Sequence, residues 1–231
     1  MKRIGRLIAA AAVAIAALGV APSAPAQDSK RAANPKHGAA IAGQGTATAP
    51  ACDQCHATSA TADGGGGFPR LAGQSAYYLA KQMHDFASSQ RASPIMSPIA
   101  KPLSADDIAD VAAYYANNND PFLSLASAGS VALVREGERL ARVGKTVKDI
   151  QACNNCHGPD GAGIPPAIPY LAGQYAQYTA FQLNAWQRGF RKSSPDSMAL
   201  VAKDLDDHEI AAVAAFYQQA RSAAAGASAS K

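Results

Sequence analysis

PACDQCHATS (Pro50–Ser59) and QACNNCHGPD (Gln151–Asp160) hold all four cysteines of a chain of 231 residues. Both read Cys-x-x-Cys-His, with Cys52, Cys55 and His56 in the first copy and Cys153, Cys156 and His157 in the second. Two cysteines at i and i+3 on a helical turn reach the two vinyl groups along one edge of a haem. The histidine that follows then aims its imidazole at the iron from the same side, the mark of c-type haem attachment. A structural disulfide or a dithiol redox pair leaves the histidine after both pairs unexplained, and no βαβ pattern surrounds either one. A zinc ribbon keeps its pairs about 15–20 residues apart, whereas Cys52 and Cys153 are 101 apart.

Working outward from the two motifs, the chain repeats itself. FPRLAGQSAYYLAKQMHDF from Phe68 matches IPYLAGQYAQYTAFQLNAW from Ile168. MSPIAKPLSADDIADVAAYY from Met96 matches MALVAKDLDDHEIAAVAAFY from Met198, and Gly38 and Ile41 match Gly137 and Leu140. The order of features is the same throughout, which identifies a tandem duplication. The joint falls in NNNDPFLSLASAGS, residues 117–130, where a helical pattern stops in an asparagine run and a proline. This sets domain boundaries at 27–122 and 123–221, with a low-complexity tail over 222–231.

Each half reads as helix. Leu79, Met83 and Phe86 fall at i, i+4 and i+7, as do Thr179, Leu183 and Trp186; Ile108, Val111, Ala112 and Tyr115 form a fuller stripe, repeated by Ile210, Val213, Ala214 and Tyr217. Ser104 with Asp107, and Asp206 with Glu209, have capping-box spacing at the start of these last helices. No strand-like alternation competes, so the fold class is all-α, with a haem disc enlarging the core that a half of about a hundred residues can build.

The first 26 residues place Lys2, Arg3 and Arg6 before an apolar run and end in Ala24-Pro25-Ala26, the layout of a signal peptide cut after Ala26. The run from Leu7 to Val20 is short for a bilayer span of about 20 residues, which leaves a retained anchor as the lesser alternative. Loss of three leader cations takes the charge balance from 21 against 17 to 18 against 17. Four haem propionates would carry that near-neutral balance to about −3, so docking depends on local patches and no basic stripe invites nucleic acid.

If His56 and His157 each fill one axial position, Met96 and Met198 are the candidates for the other. They occupy equivalent places, 40 residues after His56 and 41 after His157, behind the proline-containing stretches RASPIM and KSSPDSM. A neutral thioether favours Fe(II) and raises the potential. Met83 lies in an apolar stripe opposite Leu183 and reads as core. His37, His84 and His208 are not repeated and read as exposed or locally hydrogen-bonded, His84 remaining an alternative iron ligand. Arg70, Arg91 and Arg191 are candidates to neutralise propionates, with solvated arginines the competing reading. Two filled axial positions leave no open coordination site, which suits electron transfer rather than bond chemistry.

CDQCH and CNNCHGPDGAG, the paired PRLAGQ and PYLAGQ segments and the two methionine loops resemble the cytochrome c4 family. The resemblance covers nearly all of the mature sequence. It implies two tandem class I cytochrome c domains, each wrapped around one covalent haem c, in a soluble or loosely membrane-associated periplasmic protein whose haems lie close enough for fast internal transfer. The implied partners are redox proteins: a quinol-oxidising complex or dehydrogenase as donor and a terminal oxidase as acceptor. On this reading the chain is an electron carrier, and any catalysis resides in a partner chain. The alternatives are an electron-accepting subunit of a sulfide, thiosulfate or alcohol dehydrogenase and, further off, a dihaem peroxidase. The first half departs from the family pattern in lacking the Gly-Pro-Asp-Gly turn after His56.

Overall fold

The structure, a computed structural model, describes residues 31–56, 67–118, 125, 127–193 and 196–220. The leader, the stretch that follows His56 in the first half, most of the joint and the tail lie outside these residues. The first half contains α1 (Pro35–Gln44), α2 (Ala76–Ala87), α3 (Met96–Ala100) and α4 (Ala105–Asn117). The second contains α5 (Val131–Val143), α6 (Asn154–His157), α7 (Ala176–Gln187), α8 (Asp196–Lys203) and α9 (Asp207–Gln219). Among the described residues there is no strand, and no helix is long and apolar enough to cross a membrane.

Each half is built on a crossing of its first and last helices, α1 on α4 and α5 on α9. The crossing is close because it is made over glycine. A Cβ on Gly38 would lie 2.0 Å from the Asp110 carbonyl oxygen, and one on Gly137 would lie 2.0 Å from that of Ala212. The last helices start where the capping boxes place them, on Ser104 with Asp107 and on Asp206 with Glu209. Their stripes are buried as the spacing requires: Ile108, Val111, Ala112 and Tyr115 in α4, and Ile210, Val213, Ala214 and Tyr217 in α9. Leu79 of α2 and Leu183 of α7 complete the two cores from the side.

The two crossings are fastened by different polar contacts. In the first half the buried Asp110 carboxylate accepts from Arg31 Nη1 and Nη2 (3.0 and 2.6 Å), the Asn34 N–H (2.6 Å) and His37 Nδ1 (2.8 Å). In the second, buried Glu209 takes Lys145 and Lys148, which hold the turn that precedes the Cys153 motif. His37 and His208 are thus locally bonded histidines, the latter to Glu136 at 2.8 Å.

Candidate functional site

Both Cys-x-x-Cys-His motifs are helical turns, a 3-10 turn at Cys52–Gln54 and α6 in the second half. Cys52 packs against the first core, and Cys153 packs against the second. Burial, with Asp53 beside it, pushes the Cys52 thiol up to about 11, and burial raises that of Cys153. Reactive dithiols and thiolate metal ligands need the opposite shift. Among the described residues no group of three or more His, Cys, Asp or Glu could hold a metal ion, which leaves shared zinc without a ligand set.

The two histidines are held alike. His56 Nδ1 lies 3.0 Å from the Pro69 carbonyl, and His157 Nδ1 lies 2.9 Å from that of Pro169. A carbonyl can only accept, so Nδ1 carries the proton and Nε2 keeps its lone pair. Burial lowers the pKa of both imidazoles, partly offset by the same carbonyls, and keeps the rings neutral. The last helix locks each turn in place: Tyr115 donates to Asp53 Oδ1 at 2.6 Å, and the Tyr217 hydroxyl meets the Asn154 amide at 2.9 Å.

Met96 is the first residue of α3 and half-buried, and Met198, also half-buried, enters α8 against the core cluster that Cys153 and Trp186 join. Met96 thus opens α3, whereas Met198 is the third residue of α8. Buried donors without a partner among the described residues are Trp186 Nε1 and Arg191 Nε, together with the Ser193 hydroxyl. Trp186 and Arg191 are stacked together, and Trp186 joins the cluster that Cys153 packs against; their two orphaned N–H groups fit an anionic group such as a haem propionate, because an unpartnered buried N–H is costly.

Arg91 and Arg191 are not solvated: each is 6% exposed and lies between the halves. Each guanidinium stacks on an aromatic ring of its own half, Arg91 over Phe86 at 4.5 Å and Arg191 over Trp186 at 4.0 Å. Gln82 Oε1 accepts from Arg91 Nη1 (2.7 Å) and Arg191 Nη2 (2.8 Å), while Gln182 Oε1 accepts from Arg91 Nη2 (2.5 Å) and Arg191 Nη1 (3.0 Å). Tyr178 and Tyr78 accept the remaining bonds from the opposite arginine, at 2.7 and 3.0 Å. The backbones pair beside them, Ala92 N–H to Phe190 O and Lys192 N–H to Gln90 O. Gln74 and Gln174 of the LAGQ segments complete a two-fold pattern, exchanging bonds with the Tyr170 and Arg70 backbones respectively. Sequence reasoning missed this contact. Its signal was present, since Gln74, Tyr78, Gln82 and Arg91 are polar residues copied unchanged into the second half.

A family model described as Cytochrome c matches residues 141–221, and one described as Cytochrome C oxidase, cbb3-type, subunit III matches residues 36–114. With one such match on each half, the fold and the paired sites define a dihaem c-type cytochrome, an electron-transfer protein with two covalently bound haem c groups. The chain is 44% identical over 170 residues to the thiosulfate dehydrogenase electron acceptor of Stutzerimonas stutzeri, covering 73% of this chain and 78% of that one. It is 39% identical over 188 residues to cytochrome c4 of Pseudomonas aeruginosa, covering 79% and 90%. The crystal structure of reduced recombinant cytochrome c4 from Pseudomonas stutzeri superposes with a TM-score of 0.68 at 30% identity, covering 80% of this chain and 97% of that one. Thiosulfate dehydrogenase (TsdBA) from Marichromatium purpuratum gives 0.72 at 40% identity over 81% of this chain, which spans 40% of the length of that one. The chain belongs to the cytochrome c4 family.

Proposed function

We propose that Cys52 and Cys55 hold the first haem and Cys153 and Cys156 the second, with His56 and Met96, and His157 and Met198, as the axial ligands. The observation that carries this reading is the histidine clamp made twice, on Pro69 and on Pro169, which leaves both Nε2 atoms free to bind iron. When bound, the haems supply reversible one-electron chemistry. The chain's own residues orient and enclose them: the last helices fix the motif turns, the two cores exclude water, and Trp186 and Arg191 offer donors to a propionate. With methionine in the sixth position no site is left for substrate, so the protein carries electrons and leaves catalysis to its partners. We place it in the periplasm, cut after Ala26, as units 27–122 and 123–221, with a quinol-oxidising complex or dehydrogenase as donor and a terminal oxidase as acceptor.

A second reading, the electron-accepting subunit of a thiosulfate dehydrogenase, is favoured by the similarity to proteins of that description. Anaerobic mixing of the oxidised protein with a quinol-oxidising complex, or with a thiosulfate dehydrogenase and thiosulfate, separates the two. The carrier reading expects fast reduction by the quinol-oxidising complex and reoxidation by a terminal oxidase. Reduction by the dehydrogenase alone establishes the subunit reading, and steady turnover of peroxide overturns both.

A further inference from the structure

We propose that Asp53 is a potential-setting residue: a fixed negative charge on the first attachment turn, without a counterpart on the second, that biases an electron shared within the molecule towards the second half. This rests on the reading that Cys52 with His56, and Cys153 with His157, hold the two haems. The two motif turns are locked by the same device made with different charges. In the first, the Tyr115 hydroxyl donates to Asp53 Oδ1 at 2.6 Å; in the second, the Tyr217 hydroxyl meets the Asn154 amide at 2.9 Å. Tyr115 and Tyr217 are equivalent buried residues of the last helices, and Asp53 and Asn154 each follow the first cysteine of their motif. The lock therefore sets a carboxylate on one turn and a neutral amide on the other.

The position of Asp53 makes that difference count. Its side chain is half-buried, and a hydroxyl donating to a carboxylate is a charge-assisted bond, so the charge is fixed in place. No cation pairs with it among the described residues. Its field reaches the thiol that attaches the haem: burial first, and Asp53 after it, push Cys52 up to about 11, whereas burial raises Cys153 with no carboxylate adding to it. The second turn is followed by a carboxylate of its own, Asp160, but Arg142 neutralises that one at 2.9 Å. A negative charge near an iron favours its ferric over its ferrous state, and net charge is one of the levers that set a reduction potential. Asp53 thus lowers the first potential, and Asn154 leaves the second where the rest of its site puts it.

The test is a potentiometric titration of the holoprotein, followed in the visible spectrum, with haem counted after alkaline pyridine denaturation. Asp53→Asn gives the first turn the side chain that the second already uses, so the lock survives and only the charge goes. Asn154→Asp tests the same charge on the other turn, and Tyr115→Phe removes the lock while leaving the carboxylate. The expected result in Asp53→Asn is a rise of about three- to tenfold in the reduction equilibrium constant of one haem, about 30–60 mV for a one-electron couple. The other potential stays unchanged. Asn154→Asp should lower that other potential by a similar amount, and Tyr115→Phe should raise neither. Unchanged potentials in Asp53→Asn, an equal shift of both, or a rise in Tyr115→Phe that matches the one in Asp53→Asn overturns the charge assignment while haem attachment stands. A count of one haem per chain overturns the attachment reading, and the assignment of Asp53 with it.

Discussion

Asp110 shows how one residue can decide the behaviour of a whole crossing. Burial alone would raise its pKa, but the Arg31 guanidinium, the Asn34 N–H and His37 outweigh that and hold the carboxyl at about 2, below its ordinary 3.8. A depressed pKa contributes stability that is complete above pH 4 and is lost as pH falls through about 2. Asp110→Asn should therefore unfold more easily than wild type at neutral pH, by about 1–3 kcal/mol for lost charge-assisted bonds. The gap should close as both are acidified towards pH 2, and chemical denaturation of the holoprotein across that range checks it. A gap that stays constant would mean that the carboxylate is not what the crossing depends on. His37 and His208 each found a carboxylate partner on the opposite helix, which one sequence cannot pair because the partner is chosen by the crossing angle.

At the scale of elements, the long helices were legible and the short ones were not. α4 and α9 announced themselves through capping boxes and full apolar stripes, and both are buried as their spacing requires. α3 has only five residues, too few for a 3.6-residue period to register, and α8 begins directly behind a proline. The glycines Gly38 and Gly137 matched between the repeats, but their purpose is visible only in the crossing. Replacing either with alanine must push two backbones apart, an overpacking that costs about 1–3 kcal/mol. Gly38→Ala should lower the melting temperature of the holoprotein, as should Gly137→Ala. Calorimetry reads both, and unchanged melting in either would show that the helices part without cost.

On the scale of the whole molecule, the duplication was plain in the sequence and the contact it creates was not. Polar residues shared by the halves register first as copies, and only the two-fold arrangement reveals that Gln82 and Gln182 each serve both buried arginines. Gln182→Leu leaves two buried guanidinium N–H groups without acceptors, a loss of about 1–3 kcal/mol for each orphaned donor. It should turn a single unfolding transition into two and speed proteolytic cutting at the joint, whereas one sharp transition with slow cutting would mean that the halves are coupled by other contacts. The haem motifs were the most legible feature of all, because covalent attachment fixes its residue types and their spacing. Ligation of both irons by histidine and methionine is the central claim, and the absorption spectrum of the purified mature protein, oxidised and reduced, with haem counted after alkaline pyridine denaturation, tests it most directly. The account predicts two c-type haems, both low-spin, with the sulfur-to-iron band at the strength of two methionines; one haem, a high-spin signal or a half-strength band would contradict it.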